Sequence, residues 1–261
     1  MAYKFNVKNV TLDLIKWIQE WFHQNGEGCN AVIGISGGKD STVVAGLCCL
    51  ALGPSRVIGV MMPNGEQKDI EDSIKVCEFL DIKNYTINIE DSVNGVLNQM
   101  EKAGIEITEQ TRTNLPARIR MSTLYAVSQS NNGRVLNTCN KSEDVVGYQT
   151  KGGDGFGDLS PCAELTSVEV VQIGDYLELP YNLVHKTPID GLKVNENGEY
   201  LTDEDSLGIT YDDIHSYIRK DKEISNDIKK IISTKEEKNK FKLEPMLKFI
   251  PKNEDLYIIN H

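Results

Sequence analysis

The residues with the clearest potential for chemistry form a glycine turn, Gly34-Ile35-Ser36-Gly37-Gly38-Lys39-Asp40-Ser41-Thr42. Adjacent glycines let the backbone turn sharply and direct its N–H groups at a ligand, and three nearby hydroxyls add further donors. At the start of a helix, such donors suit a chain of phosphates. A carboxylate at Asp40 would repel phosphate unless a cation lay between them. The turn therefore indicates a phosphate site that uses Mg²⁺.

An ordinary strand-to-helix turn could contain the same residues, with Asp40 or Ser36 capping the helix. Glycine turns are common, so the turn alone is weak support, but the complete string is specific. Ser-Gly-Gly-x-Asp-Ser resembles the pyrophosphate loop of the ATP pyrophosphatases, and the residue order of a Walker loop is absent. The resemblance implies cleavage of ATP to AMP and pyrophosphate. It does not identify the second substrate, because the group includes NAD, GMP and asparagine synthetases and tRNA-modifying enzymes.

A second motif narrows that choice. It comprises Asn137-Thr138-Cys139-Asn140-Lys141-Ser142-Glu143, then Thr150-Lys151, Gly153-Asp154-Gly155 and Asp158-Leu159-Ser160-Pro161. This resembles the NAD synthetase pattern, in which a strand ends in Thr, a Glu lies five residues on, and a Thr-Lys pair precedes a Gly-Asp loop. Lys186-Thr187-Pro188-Ile189-Asp190-Gly191-Leu192 and the stretch 202–208 also fit. The resemblance covers residues 34 to about 245.

The resemblance implies a set of site residues. ATP contacts fall on Gly34, Ile35, Ser36, Gly37, Gly38, Lys39, Asp40, Ser41 and Thr138. The Mg²⁺ ligands would be Asp40 and Glu143, whose hard carboxylate oxygens suit this ion. Contacts to deamido-NAD would come from Arg118, Lys151, Asp158 and Lys242. Asp40 and Lys151 would be catalytic. For Lys151 the reason is that a fixed cation stabilises the negative charge that develops on the transferring phosphorus.

Each of these roles has a plainer alternative. Glu143 could be a solvated carboxylate at a helix start, Arg118 a surface ion pair and Lys151 an exposed loop lysine. The chain also departs from the family at three positions. Ser167 replaces a common ATP-binding lysine, Phe241 replaces the histidine of a His-Lys pair, and Ile189 replaces a Ser or Thr.

The resemblance implies a carbon–nitrogen ligase that amidates deamido-NAD with ammonia. The carboxylate would be adenylated by ATP, and ammonia would then displace AMP to give NAD. No Cys-His or Ser-His nucleophile pair is evident, so we expect ammonia, not glutamine, as the direct nitrogen source. The expected partners are ATP, deamido-NAD, ammonia and a second copy in a homodimer. The alternatives are a tRNA-thiolating enzyme and a non-catalytic nucleotide sensor.

The elements that must position these residues alternate between strand and helix. Apolar, β-branched runs predict strands over 31–35, 56–62, 85–89 and 135–138, and helical spacing predicts helices over 10–26, 40–47, 67–80, 93–102, 117–128 and 164–179. We expect an open parallel sheet with helices on both faces, an α/β fold of the Rossmann-like, adenine nucleotide alpha hydrolase-like type. Loops are expected over 141–159 and 180–208, and helical segments over 209–233.

Composition restricts the partners. The 261 residues carry 39 acidic against 28 basic side chains, a net charge of −11, which argues against binding nucleic acid or anionic membranes. No apolar run has the length of a membrane span and no signal peptide is evident, so we expect a cytoplasmic protein. The six cysteines lack metal-site spacing. We expect one domain over 1–261, with a nucleotide-binding core at 30–180 and a C-terminal part at 181–261 that closes the site.

Overall fold

A parallel sheet of four strands forms the centre of the computed structural model, which describes residues 3–67, 69–189 and 201–252. The strands are β1 (Asn30–Gly34), β2 (Val57–Met61), β3 (Lys83–Thr86) and β4 (Gly133–Leu136). Their order across the sheet is β3-β2-β1-β4, with Ile33 of β1 level with Gly59 of β2 and Leu136 of β4. The two central strands, β1 and β2, are almost fully buried, as their apolar sequences predict.

Eleven helices are defined within the described ranges. They are α1 (Val7–Asn25), α2 (Lys39–Leu52), α3 (Ile70–Phe79), α4 (Glu90–Lys102), α5 (Glu109–Ser130), α6 (Lys141–Val146), α7 (Ser167–Tyr176), α8 (Tyr181–Val184), α9 (Asp203–Leu207), α10 (Tyr211–Arg219) and α11 (Asn226–Asn239), with 3₁₀ turns at Pro54–Arg56 and Lys240–Lys242. None of these helices has the length and apolarity needed to cross a membrane.

Helices cover both faces of the sheet. In β1, Ala31 and Ile33 pack into a core with α1, α2 and α7, whereas Val32 packs into a second core with α4 and α5. Alternate residues of a strand point to opposite faces, so β1 contributes to both cores. This confirms the predicted α/β architecture. A third apolar cluster joins α6, α10 and α11 around Ile214 and Ile232.

The structure corrects several predicted boundaries. β3 covers 83–86 and not 85–89, because residues 83–86 are the ones level with β2, while Ile87 and Ile89 only continue the backbone hydrogen bonds beyond the strand. The stretch 141–159, predicted as a loop, begins with α6. The described part of the predicted loop 180–208 contains α8 and α9. These three helices have four to six residues, too few to show helical periodicity.

Helix α5 begins at Glu109, well before the predicted start at 117, and contains Pro116. Proline favours the first turn of a helix, so a start just after it is a natural sequence interpretation. Here the Thr108 hydroxyl accepts the Thr111 N–H and caps the helix two turns earlier.

Candidate active site

The glycine turn connects the end of β1 to the start of α2. Gly37 has a φ of +78°, and a Cβ there would lie 2.8 Å from the backbone nitrogen of Ser73. Both the left-handed backbone and the close approach of α3 therefore require glycine at this position. Gly38 is the N-cap of α2, and no described side chain caps this end of the helix. The alternative in which Asp40 or Ser36 serves as the N-cap is therefore wrong.

Hydroxyl groups hold the turn in shape. The Ser41 hydroxyl donates to the Gly38 carbonyl (3.1 Å), and the Thr42 hydroxyl donates to the same oxygen (2.8 Å). The Ser36 hydroxyl accepts the Gly38 N–H at 3.3 Å. These bonds leave the uncapped helix end facing the carboxyl edge of the sheet, where ligands of α/β proteins gather.

The second motif enters the same edge from β4. After the strand, Asn140 caps α6: its side-chain oxygen accepts the N–H groups of Ser142 (2.9 Å) and Glu143 (3.3 Å). The Glu143 carboxylate reciprocates by accepting the Asn140 N–H at 3.0 Å. The amide nitrogen of the same asparagine donates to Asp40 Oδ1 at 3.0 Å. One buried residue therefore orients both carboxylates that the sequence assigned to Mg²⁺: its side-chain amide holds Asp40 and its backbone N–H holds Glu143.

A lysine lies among these carboxylates. Lys39 is 5% exposed, and its ammonium group is 2.9 Å from Asp40 Oδ2 and 5.0 Å from the ring centroid of Tyr211. Burial lowers the pKa of Lys39, but the negative charges of Asp40 and Glu143 outweigh it and hold the pKa above its usual value. Burial, together with the charge of Asp40, raises the pKa of Glu143 well above its usual range.

The donor set fits a magnesium ion shared with a nucleotide. Asp40 and Glu143 both line the same two adjoining cavities, which have volumes of about 180 and 260 Å³. Mg²⁺ takes one or two protein carboxylates and completes its shell with water and phosphate oxygens. Within the described ranges, no cluster of three His, Cys, Asp or Glu side chains forms an all-protein metal site.

The ATP-assigned residues converge on these cavities. Those that line at least one cavity are Ser36, Gly38, Lys39, Asp40, Ser41 and Thr138, together with Glu143. Gly34, Ile35 and Gly37 build the turn beneath them.

The four residues assigned to deamido-NAD, Arg118, Lys151, Asp158 and Lys242, do not line either of the two cavities. Arg118 Nε donates to the Lys151 carbonyl at 3.3 Å. The Lys151 ammonium donates to the carbonyls of Phe241 and Glu244, so in this structure it contacts the C-terminal segment. The Asp158 carboxylate accepts the Tyr125 hydroxyl (3.0 Å) and the Val135 N–H (2.8 Å).

Lys242 mirrors Lys151. Its ammonium donates to the carbonyls of Gly147 (2.7 Å) and Gln149 (3.0 Å), in the segment that follows α6. Burial lowers its pKa. Lys151, in the segment after α6, binds carbonyls near the C-terminus, and Lys242, near the C-terminus, binds carbonyls in the segment after α6. These reciprocal contacts hold the two segments together.

The positions that depart from the family have local roles. The Ser167 N–H, at the first residue of α7, donates to the Ser142 hydroxyl at 3.1 Å, which joins α7 to α6. Ile189 lines the first cavity beside Pro188. The rest of that motif, 190–192, lies outside the described residues.

Sequence reasoning missed four residues around the cavities. Asn140 binds Asp40, Asp203 lines the first cavity, and Tyr211 lies under the Lys39 ammonium. Lys186 forms ion pairs with Asp69, at the N-cap of α3, and with Asp72, within α3, at 2.7 and 2.8 Å. The Asn-x-x-Glu spacing of a capping box was the available signal for Asn140. Lys186 and Asp203 lie in stretches that fit the family pattern, but their position at the cavities, like that of Tyr211, depends on the packing of distant segments.

Comparison with known proteins agrees with the motifs. Residues 10–250 match the family model described as NAD synthase. The chain belongs to the NAD synthase family. Among curated members, an NH(3)-dependent NAD(+) synthetase of Pyrococcus furiosus is 33% identical, with 93% of this chain and 96% of the relative covered. One of Thermococcus kodakarensis is 38% identical, over 81% of this chain and 78% of the relative.

Solved structures of NAD synthase relatives share the fold. An NMN synthetase from Francisella tularensis superposes with a TM-score of 0.83 at 31% identity, covering 94% of this chain and 99% of that one. An NH3-dependent NAD synthetase from Campylobacter jejuni, in complex with nitrate, gives 0.76 at 26% identity, covering 95% and 100%.

Proposed function

We propose that this NAD synthase family member converts deamido-NAD, ATP and ammonia to NAD, AMP and pyrophosphate. The observation that carries the proposal is the convergence of the glycine turn, Asp40 and Glu143 on one cavity edge of a chain that matches the family over 10–250. This arrangement suits a triphosphate with a divalent ion, and the curated relatives bear the name NH(3)-dependent NAD(+) synthetase.

ATP binds with its β- and γ-phosphates against the turn and the uncapped start of α2, where backbone N–H groups and the Ser36 and Ser41 hydroxyls donate to phosphate oxygens. Asp40 and Glu143 would hold Mg²⁺, and the ion would supply positive charge to neutralise the departing pyrophosphate. Thr138, two residues beyond the end of β4, lines the second cavity and would contact the nucleotide there. The α-phosphorus is then accessible to the second substrate.

The reaction takes two displacements. An oxygen of the nicotinate carboxylate attacks the α-phosphorus, the bond to the bridging oxygen breaks, and pyrophosphate leaves. Ammonia then attacks the carbonyl carbon of the acyl adenylate, loses a proton to solvent, and AMP leaves as the amide forms. An unactivated carboxylate is a poor electrophile, so adenylation must come first. Catalysis is mainly alignment and charge stabilisation.

In this proposal Lys151 stabilises the negative charge that develops during adenylation. Arg118, Asp158 and Lys242 contact deamido-NAD. In this structure the Lys151 ammonium binds backbone carbonyls of the C-terminal segment. Its role therefore requires the side chain to leave those carbonyls when substrates bind. We further propose a homodimer, as the family resemblance implies.

A second candidate is amidation of a mononucleotide. A structural relative with 31% identity is described as NMN synthetase, and the chemistry at the carboxylate would be the same. The two candidates differ only in whether the site requires the adenylate half of the dinucleotide.

The test is to incubate the protein with ATP, Mg²⁺ and ammonium, adding either deamido-NAD or nicotinic acid mononucleotide. We expect NAD, AMP and pyrophosphate in equal amounts, with kcat/KM higher for the dinucleotide. A higher kcat/KM for the mononucleotide would favour the second candidate. Formation of ADP, or no reaction with either substrate, would contradict both.

A further inference from the structure

The Lys39 side chain occupies the position where a cation would be expected beside Asp40. It is the first residue of α2, yet its side chain is directed inwards and only 5% of the residue is exposed. Its ammonium lies 2.9 Å from Asp40 Oδ2, and the negative charges of Glu143 and Asp203 also stabilise it. The Tyr211 ring, 5.0 Å away, supplies a further cation–π contact.

In this arrangement both carboxylate oxygens of Asp40 already accept a hydrogen bond. Its Oδ2 binds Lys39, and its Oδ1 accepts the Asn140 amide at 3.0 Å. A metal ion that approaches Asp40 Oδ2 therefore meets the electrostatic repulsion of a buried ammonium group that lies 2.9 Å from the same oxygen. A buried ammonium group is stable only when paired, so Lys39 and the carboxylates depend on one another in the ligand-free protein.

We propose that the Lys39 ammonium is an internal substitute for the divalent cation, which keeps metal binding weak until ATP arrives. The inference rests on the proposed assignment of Asp40 and Glu143 as metal ligands. Once ATP supplies phosphate oxygens and negative charge, Mg²⁺ has enough ligands to displace the ammonium from Asp40. The ion then enters together with the nucleotide, and the unliganded protein keeps its acidic cluster neutralised.

A purely structural lysine is the competing interpretation. Lys39 would then stabilise the fold, and its removal would change stability without changing metal affinity. The two interpretations therefore differ in a binding measurement made without ATP.

The test measures Mn²⁺ binding to the ATP-free protein by electron paramagnetic resonance, in which unbound Mn²⁺ gives the signal. We expect weak binding by the wild-type protein. We expect Lys39→Gln to bind Mn²⁺ at least about tenfold more tightly, because a unit positive charge a few ångströms from the ligands is removed. Lys39→Arg, which keeps the charge, should bind as weakly as wild type. Lys16→Gln, at an exposed lysine paired with Glu20, is the matched control and should have no effect.

Equal affinities of the wild type and Lys39→Gln, or tight binding by Lys39→Arg, would overturn the inference. If Lys39→Gln does not fold without metal, millimolar Mn²⁺ should restore its folded state, and failure to do so also counts against the proposal. Binding of Mn²⁺·ATP by the wild type is measured in parallel. Its absence would refute the proposed function, whereas normal Mn²⁺·ATP binding with unchanged Mn²⁺ affinity in Lys39→Gln refutes only this inference.

Discussion

At the scale of single residues, Asn140 connects the two motifs. Its oxygen caps α6 and its amide nitrogen binds Asp40, while Glu143 accepts its backbone N–H. The Asn140 side chain is fully buried. It bonds to Asp40, a proposed metal ligand, and to the first turn of α6, the helix that carries the other proposed ligand, Glu143. The carboxylates are therefore positioned before any ligand binds, as preorganised catalysis requires.

Replacing Asp40 should remove activity. We expect Asp40→Ala to lower kcat by about a thousandfold or more, because the ion proposed to neutralise pyrophosphate would lose a protein ligand. Steady-state release of AMP measures the effect. The matched control is Asp91→Ala, at an exposed aspartate in the first turn of α4, which should retain full activity. Full activity of Asp40→Ala would refute the assigned role.

Substitutions at Asn140 should separate capping from positioning. Asn140→Ala should lose about 1–2 kcal/mol of stability with the helix cap, and at least about tenfold in kcat. Asn140→Ser should recover much of the stability, because serine caps helices, but not kcat, because its side chain is too short to bind Asp40. Denaturant unfolding and the Mg²⁺ dependence of the rate measure the two effects. Recovery of kcat by serine would show that the Asp40 contact is dispensable.

Much of the candidate site was predictable at this scale because contiguous residues build it. The turn and the Asp40 and Glu143 pair follow from two local motifs with characteristic spacing. The inward direction of Lys39 did not follow, since it depends on Tyr211 and Asp203, more than 160 residues away in the chain. Contacts of this kind arise from packing, for which a single sequence contains no local pattern.

At the scale of elements, a buried ion pair joins α7 to α10. Arg219 donates two hydrogen bonds to Glu169, each 2.7 Å long, and the Tyr3 hydroxyl donates a third. Burial raises the pKa of Glu169, but the bonds from Arg219 and Tyr3 outweigh it and hold the pKa below its usual value. Because α10 carries Tyr211, this pair fixes the helix that lies under Lys39.

Glu169→Gln should destabilise the protein by about 3 kcal/mol at neutral pH, because Arg219 loses its buried partner. Since the folded-state pKa of Glu169 is lowered, its stabilisation is present above the usual value of 4.5 and is lost as pH falls below it. The unfolding free energies of wild type and variant should therefore converge below about pH 4.5. Urea unfolding across this range measures both curves; a gap independent of pH would contradict the role of the charge.

The strands and the longer helices were predictable because β-branched runs and helical spacing extend over enough residues. The order β3-β2-β1-β4 was not, since it depends on which distant strands pair. α6 remained hidden because six residues are too few for a periodic pattern, although Asn140 and Glu143 carry its capping signature. The boundary of β3 shifted because pairing with β2, not local composition, defines the strand.

At the scale of the whole molecule, an exposed apolar run remains near the described C-terminus. Met246, Leu247, Phe249 and Ile250 are 82–91% exposed, and such runs commonly mark interfaces. We predict that the proposed homodimer buries this run and that light scattering gives twice the 29.2 kDa chain mass. Replacing Leu247 and Phe249 by serine should shift the protein towards the monomer. A monomeric wild-type protein would contradict the predicted dimer.

In the proposed mechanism, the sheet edge, the glycine turn and the carboxylates all serve one step, transfer of AMP to a carboxylate. That step moves a substrate oxygen into AMP, so isotope labelling tests it directly. Deamido-NAD labelled with ¹⁸O in its nicotinate carboxylate is incubated with the protein, ATP, Mg²⁺ and ammonium, and AMP is analysed by mass spectrometry. The account predicts one ¹⁸O atom in the phosphate of each AMP formed; unlabelled AMP, or label in inorganic phosphate with release of ADP, would contradict it.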